Sequence, residues 1–266
     1  MATSTNFETL DIRRDGPVDW LTLNRPDRLN TITGTMVAEL NAYFAAKADD
    51  LNTRVIVMKG AGNAFCAGLD IKEQHTGGDQ VVTGSSGPQL ADIPVRMRAC
   101  PQPIVALLHG PACGGGFAFA LAADIRIAGE STRMNDAFIR IGMSGCELGL
   151  SWALPRLVGL SVARELMYTG RFIEAERALR VGLVSEVVPD ADLESAGQTL
   201  VDDMLRNAPT GLRLTKKTLE AALAIDDLES VIALESRTQG LCQATGDFEE
   251  AMAAFLEKRP PQFAGA

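Results

Sequence analysis

No apolar run in this sequence approaches the roughly 20 residues that a membrane-crossing helix needs. The opening MATSTNFETL also lacks the basic-then-apolar order of a secretory leader. A cytoplasmic address with no membrane partner is the expectation. There is no CxxC pair and no histidine beside a cysteine at zinc-ligand spacing, and the cysteine count, five, is odd. These absences argue against a disulfide framework and against a structural metal, so Cys66, Cys100, Cys113, Cys146 and Cys242 are expected as reduced, buried thiols. Positive charge is scarce as well. With 25 Lys and Arg against 34 Asp and Glu, the net charge is −9, which argues against a nucleic-acid partner, because phosphate neutralisation needs clustered cations. Internal repeats and low-complexity tracts are missing, as are the GxGxxG and GxxxxGK[ST] spacings, so the dinucleotide and P-loop readings are weak.

What is present is a chain of 266 residues, 46% hydrophobic and 22% charged, which suffices for a substantial core. Alternation and turn chemistry predict a hairpin, with strands over Phe7 to Arg13 and Val18 to Leu23 around Asp15-Gly16-Pro17. Thr33 is placed to cap a helix whose apolar stripe runs through Met36, Val37, Leu40, Phe44 and Leu51. Short β-branched runs at Val55 to Met58, Ile104 to Leu108, Ile125 to Ala128 and Leu183 to Val188 predict buried strands. Helices are predicted after Gly116 and from Ser161 to Thr169. The alternation of strand and helix indicates a layered α/β core. Residues 75–89 show no apolar period and read as a mobile, lid-like loop. Beyond Pro189 only helical patterns remain: Leu193, Ala196, Leu200 and Met204, then Leu219, Leu223, Leu228, Val231 and Ile232, then Phe248 to Lys258.

Two glycine-punctuated segments follow buried strands: 64-AFCAGLDIKE-73 and 109-HGPACGGGFAFALAAD-124. In the second, three glycines stand between a strand and an apolar helix, where the backbone can approach a ligand and present helix N-terminal amides. If the two turns face each other, the amides near Leu69 and Gly115 converge on one oxygen, the arrangement that stabilises an oxyanion. Either segment alone reads equally well as turn geometry.

Together with 24-NRPDRLNTIT-33, 154-LPRLVG-159, 169-TGRFIEAERALRVGLVSEVV-188 and 255-FLEKRPPQF-263, these segments resemble the crotonase (enoyl-CoA hydratase/isomerase) family from end to end. The resemblance implies an α/β fold of the ClpP/crotonase type, a spiral of ββα units over residues 1–190, with a helical oligomerisation region over 191–266. It implies an acyl-CoA thioester substrate, no cofactor beyond the coenzyme A that the substrate carries, and a homo-trimer or homo-hexamer. It assigns the oxyanion-hole amides to Leu69 and Gly115. It assigns substrate and CoA contacts to Arg25, Arg28, Leu29, Ala67, Asp70, Ile71, Lys72, Gly114 and Phe138, with Phe255 and Lys258 reaching the nucleotide of a neighbouring subunit.

One departure stands out. Alignment on the GGG run and on Asp124 puts the two catalytic glutamate positions of the family's hydratases at Ala118 and Phe138, neither of which moves a proton. Glu147 lies twelve residues before Gly159, a spacing similar to that of the catalytic carboxylate in dienoyl-CoA isomerase and in the chlorobenzoyl-CoA dehalogenase relative. A carboxylate there, walled by Trp152, Phe138 and Leu150, suits a single acid/base that isomerises a double bond. The alternatives are a hydratase or other lyase with a different acid/base, and a non-catalytic CoA-thioester binder. A protease lacks any Ser and His at suitable positions. His75, His109, Asp124 and Glu130 read as solvated or structural, Asp70 as a helix cap, and Asp136 as a neighbour of Phe138 whose direction the sequence leaves open.

Overall fold

A computed structural model describes residues 7–81 and 89–265. The hairpin forms from β1 (Leu10–Asp15) and β2 (Val18–Leu23), antiparallel about Gly16-Pro17. Next come α1 (Gly34–Lys47), β3 (Val55–Gly60), α2 (Ile71–Thr76), α3 (Asp92–Ala99), β4 (Ile104–Leu108), β5 (Pro111–Cys113) and α4 (Gly115–Ala122). They are followed by β6 (Ile125–Gly129), β7 (Arg133–Asn135), α5 (Leu150–Thr169), β8 (Ile173–Glu174), α6 (Ala175–Arg180) and β9 (Glu186–Val188). The remaining elements are α7 (Leu193–Leu205), α8 (Pro209–Ala222), α9 (Leu228–Gln243) and α10 (Gly246–Glu257).

The six-stranded sheet has the order β1-β2-β3-β4-β6-β9 and is parallel from β2 onward. Parallel strands need crossovers, and here each crossover first drops a short strand into a second layer. Cys66 bridges Ala112, β5 pairs in parallel with β7, and β7 pairs with β8. Strand, short strand and helix thus repeat along a rising spiral, the ββα architecture. One face of the large sheet packs on α1, α3 and α4 through the main core, which includes Leu21, Ile56, Met58 and Phe117. The other face, with Trp20, Val57, Leu107 and Ile127, is covered by Leu193 and Val201 of α7. Helix α8 is tied to the sheet by Lys216, which pairs with Asp124 at 2.8 Å and donates to the carbonyls of Met97 and Gln102. Helix α9 buries none of its residues, and α10 leaves Phe248, Met252, Phe255 and Leu256 exposed.

Several boundaries differ from the sequence expectations, each for a local reason. The first strand starts at Leu10 rather than Phe7, because the Glu39 carboxylate of α1 takes the amides of Glu8 and Thr9. Helix α1 ends at Lys47 and leaves Leu51 exposed, since the Asp50 carboxylate accepts the amides of Asn52 and Thr53 and turns the chain. The last long strand reduces to Glu186–Val188, because the Leu183 amide is used on the Ala178 carbonyl at the end of α6. Helix α5 begins eleven residues before Ser161, at Leu150, and Gly159 (φ 74°) interrupts it as a kink. Within 75–89, His75 and Thr76 close α2, Asp79 accepts the Thr35 amide and Val81 is buried; residues 82–88 of that loop lie outside the described residues. All five cysteines are free, yet only Cys66, Cys100 and Cys113 are buried; Cys146 is exposed and Cys242 half-buried, because their segments lie at the surface.

Candidate active site

The segment Asn24 to Thr33 acts as a brace. The Asn30 side chain, fully buried, donates to the carbonyls of Ala61, Ala64 and Phe65 and accepts the Arg25 amide. The chain after β3 is thereby fixed, and Ile32 then pairs with the first glycine turn: its amide donates to Gly68 O (2.8 Å) and its carbonyl accepts the Asp70 amide (2.9 Å). Asp70 caps α2 through the Glu73 amide and receives Arg25 Nη1 (3.1 Å) and Thr31 Oγ1 (2.8 Å). Burial alone raises a carboxyl's pKa, but these donors outweigh it and hold the Asp70 carboxyl below the usual range.

The second glycine turn lies directly against the first. Cys113 N donates to Cys66 O (2.9 Å), and a Cβ on Gly116 would stand 2.1 Å from that same oxygen. A Cβ on Gly68 would lie 2.8 Å from Cys113 O and 3.8 Å from Gly115 N. The glycines at 68 and 116 are therefore required by close backbone approach. Gly114, at φ 51°, turns the peptide into α4, and its own amide is used on Asn135 O. The amides of Leu69 and Gly115 donate to no group among the described residues. Two unused N–H groups on facing turns, one at the N-terminus of a buried helix, are donors of the kind that can hold an anionic oxygen.

Both amide positions line a cavity of about 280 Å3 together with Ala67, Ile71, Gly114, Phe138 and Glu147. Glu147 is half-buried, and no group among the described residues donates to its carboxylate. It sits on a turn made by Leu148 (φ 50°) and Gly149 (φ 84°), with Leu150 N bonded back to Glu147 O. The Phe138 ring stands 3.7 Å from where a Cβ of Gly114 would be, so it forms a wall. The other two expected walls are elsewhere. Leu150 is fully buried beneath the loop, and Trp152 faces a different cavity, where its ring lies between the guanidiniums of Arg98 (4.1 Å) and Arg156 (4.4 Å). Helical periodicity explains this, because Trp152 leaves α5 on a different side from the turn that carries Glu147.

The remaining predicted residues do not line the cavity. Arg25 is committed to Asp70 and Thr31, Arg28 pairs with Glu73 at 3.5 Å, and Leu29 (φ 50°) is exposed while its carbonyl accepts the Ala67 amide. Lys72 is exposed on α2 between two lining residues, Ile71 and Gln74. Phe255 and Lys258 stand exposed on and just after α10. His109 serves structure by bonding Gly62 O at 3.0 Å, and Glu130 lies exposed in a turn. Asp136 points away from the cavity: it is fully buried under the loop that follows, one oxygen accepts Phe138 N, and the other has no partner among the described residues. Burial pushes its carboxyl up to about 6. The thiols of Cys66 and Cys113 are pushed up by burial to about 12 and 11, which makes them inert at neutral pH. Sequence reasoning missed Gln74, Val81, Ile141, Met143 and Leu148, which also line the cavity; the apolar ones among glycines at 142, 145 and 149 were the available signal.

Comparison with known proteins shows the family. The family model described as enoyl-CoA hydratase/isomerase matches residues 13–266. The Mycobacterium tuberculosis (H37Rv) protein named probable enoyl-CoA hydratase EchA12 is 39% identical over 252 residues, covering 91% of this chain and 88% of that one. The 1,2-epoxyphenylacetyl-CoA isomerase of Escherichia coli K12 is 34% identical, covering 92% and 94%. The crystal structure of enoyl-CoA hydratase from Bacillus anthracis superposes with a TM-score of 0.87 at 31% identity, covering 97% and 100%. The chain is therefore an enzyme of the enoyl-CoA hydratase/isomerase, or crotonase, family.

Proposed function

We propose that this enzyme binds an acyl-CoA thioester with its carbonyl oxygen between Leu69 N and Gly115 N, and that Glu147 alone moves the proton, shifting a double bond rather than adding water. The observation that carries this reading is the composition of the cavity. Glu147 lines it with both amides, whereas Ala118 and Phe138 stand where the family's hydratases carry glutamates. For a 3-enoyl thioester, the Glu147 carboxylate removes a proton from the carbon beside the carbonyl. The electron pair moves onto the thioester oxygen as an enolate, the two amides stabilise that charge, and the carboxyl returns the proton to the far end of the allylic system. Removing one such donor typically costs about 3–4 kcal/mol of barrier.

Lys72 is an exposed cation next to the lining residue Ile71, and Arg28 is held against Glu73 of the same helix; both serve here as contacts for the CoA phosphates, with Arg25 bracing the loop. Phe255, with Lys258 just beyond it, lies on the surface of α9 and α10, whose exposed apolar side chains support assembly of residues 191–266 against other copies, a trimer or a hexamer. No described helix is long and apolar enough to cross a membrane; a cytoplasmic enzyme needing no cofactor besides the substrate's CoA is the reading we adopt. The test is incubation with 3-enoyl-CoA and 2-enoyl-CoA in deuterated water, followed by mass spectrometry of exchange and products. Isomerisation and exchange that vanish in Glu147→Gln support the proposal. Undiminished water addition by that variant would remove Glu147 from the mechanism and favour a lyase with another base, a reading that the hydratase names of several relatives keep in view.

A further inference from the structure

Beside the cavity just described lies a second, half-open one, of about 310 Å3, and the two share Ala91 and Leu148 as a common wall. One side of this second cavity is α4, through Ala118 and Leu121; the opposite side is α3, through Pro94 and Val95. Trp152 and Ala153 close its far end and separate it from a third cavity, of about 460 Å3. Arg98 is the only charged residue lining this second cavity among the described residues. Its guanidinium is already engaged, stacked 4.1 Å from the Trp152 ring and paired with Glu220.

A space of this size equals roughly ten water volumes, yet its walls give water few hydrogen-bonding partners. Ordered water is held by two to four polar groups, whereas an apolar wall favours each buried methylene by about fourfold in affinity. Ala118 controls the space: its methyl group lies on the side of α4 that faces α3, and a longer side chain at 118 would project into it. Where relatives of the hydratase type place a carboxylate, this chain has an alanine that lines an apolar cavity next to the carbonyl site.

We propose that this second cavity receives the tail of a medium- to long-chain acyl group, and that Ala118 is a specificity-determining residue. The inference rests on the acyl-CoA reading of the first cavity but not on the role of Glu147. The chain leaves the thioester, passes Leu148, runs between α3 and α4 and stops against Trp152.

The test measures binding of saturated acyl-CoA esters, which undergo no turnover, by calorimetry on the full chain in its native assembly. The readout is the ratio of dodecanoyl-CoA to butyryl-CoA affinity. A ratio of tenfold or more is expected for the wild type. Ala118→Phe should bring it close to one; Val95→Trp, which narrows the slot from the opposite wall at a 67% exposed position tolerant of size, should lower it severalfold even if the first variant folds poorly. A wild-type ratio near one, or a ratio unchanged in both variants, overturns the proposal. Failure of the proton-transfer reading shows differently: a steep chain-length dependence without exchange in deuterated water leaves this inference standing. Absence of binding by any ester overturns both.

Discussion

The two glycine turns and the loop that carries Glu147 face each other across one cavity and are built on opposite physical terms. Around Gly68, Gly115 and Gly116 every neighbour is close: backbone oxygens stand 2.1–2.8 Å from the Cβ positions of Gly116 and Gly68, and the side chain of Ile32 stands 2.6 Å from that of Gly115. In the loop, Gly142 and Gly149 have φ of 83° and 84° with nothing within 4 Å of a Cβ. Gly115 and Gly116 are needed for space, whereas Gly142 and Gly149 serve backbone conformation alone. Rigid donors on one side and an adjustable carboxylate on the other suit a reaction in which the charge stays on one oxygen while the proton travels between two carbons.

The contrast can be broken most severely at Gly116. Replacement by Ala drives a methyl group into Cys66 O, and because that oxygen also holds Cys113 N, neither strand can retreat. Loss of more than about 4 kcal/mol of stability is expected, read as a collapse of the thermal midpoint together with activity. Glu147→Gln sharpens the contrast from the other side. Isomerisation should fall about 10²–10⁴-fold while the denaturation midpoint stays within error, since no described group is bonded to that carboxylate; a parallel loss of stability would show the loop to be structural.

Asp136, lying under the loop, gives an intermediate effect. Its folded pKa, about 6, exceeds the ordinary 3.8 because burial disfavours the charge, so the folded state holds the proton more tightly. Stability from this group is complete below pH ~4 and is lost as pH rises through about 6. Asp136→Asn should flatten that part of the stability–pH profile and gain roughly 1–3 kcal/mol at neutral pH; chemical denaturation at pH 4 and pH 8 checks it. An undiminished pH dependence would place the responsible group elsewhere. The smallest effect belongs to Gly142→Ala, about 1 kcal/mol from the positive φ alone, with catalysis shifted less than in Glu147→Gln.

Much of this was legible in the chain. Short β-branched runs marked β3, β4 and β6, Thr33 and Asp70 announced their caps, and the paired glycine segments marked the two facing turns whose amides at Leu69 and Gly115 are unused, because each signal is local and each residue type is dictated by its own backbone. The termini of β1 and β9 were not legible, since distant groups claim their amides, Glu39 in one case and the Ala178 carbonyl in the other. Trp152 was misplaced as a wall for a similar reason: which side of α5 it leaves depends on where that helix begins.

Sequence by itself determined the spiral of buried strands, the family, and the replacement of two expected carboxylates by Ala118 and Phe138. Tertiary structure decided that Leu69 N and Gly115 N lie on one cavity without acceptors, that Glu147 shares that cavity while Asp136 turns away, and that Ala118 lines a second, apolar cavity beside it. The division has one cause. Backbone conformation and hydrophobic period are properties of neighbours in the chain, whereas an unused amide, a shared cavity and a buried carboxyl are defined by residues up to eighty positions apart that only packing brings into contact.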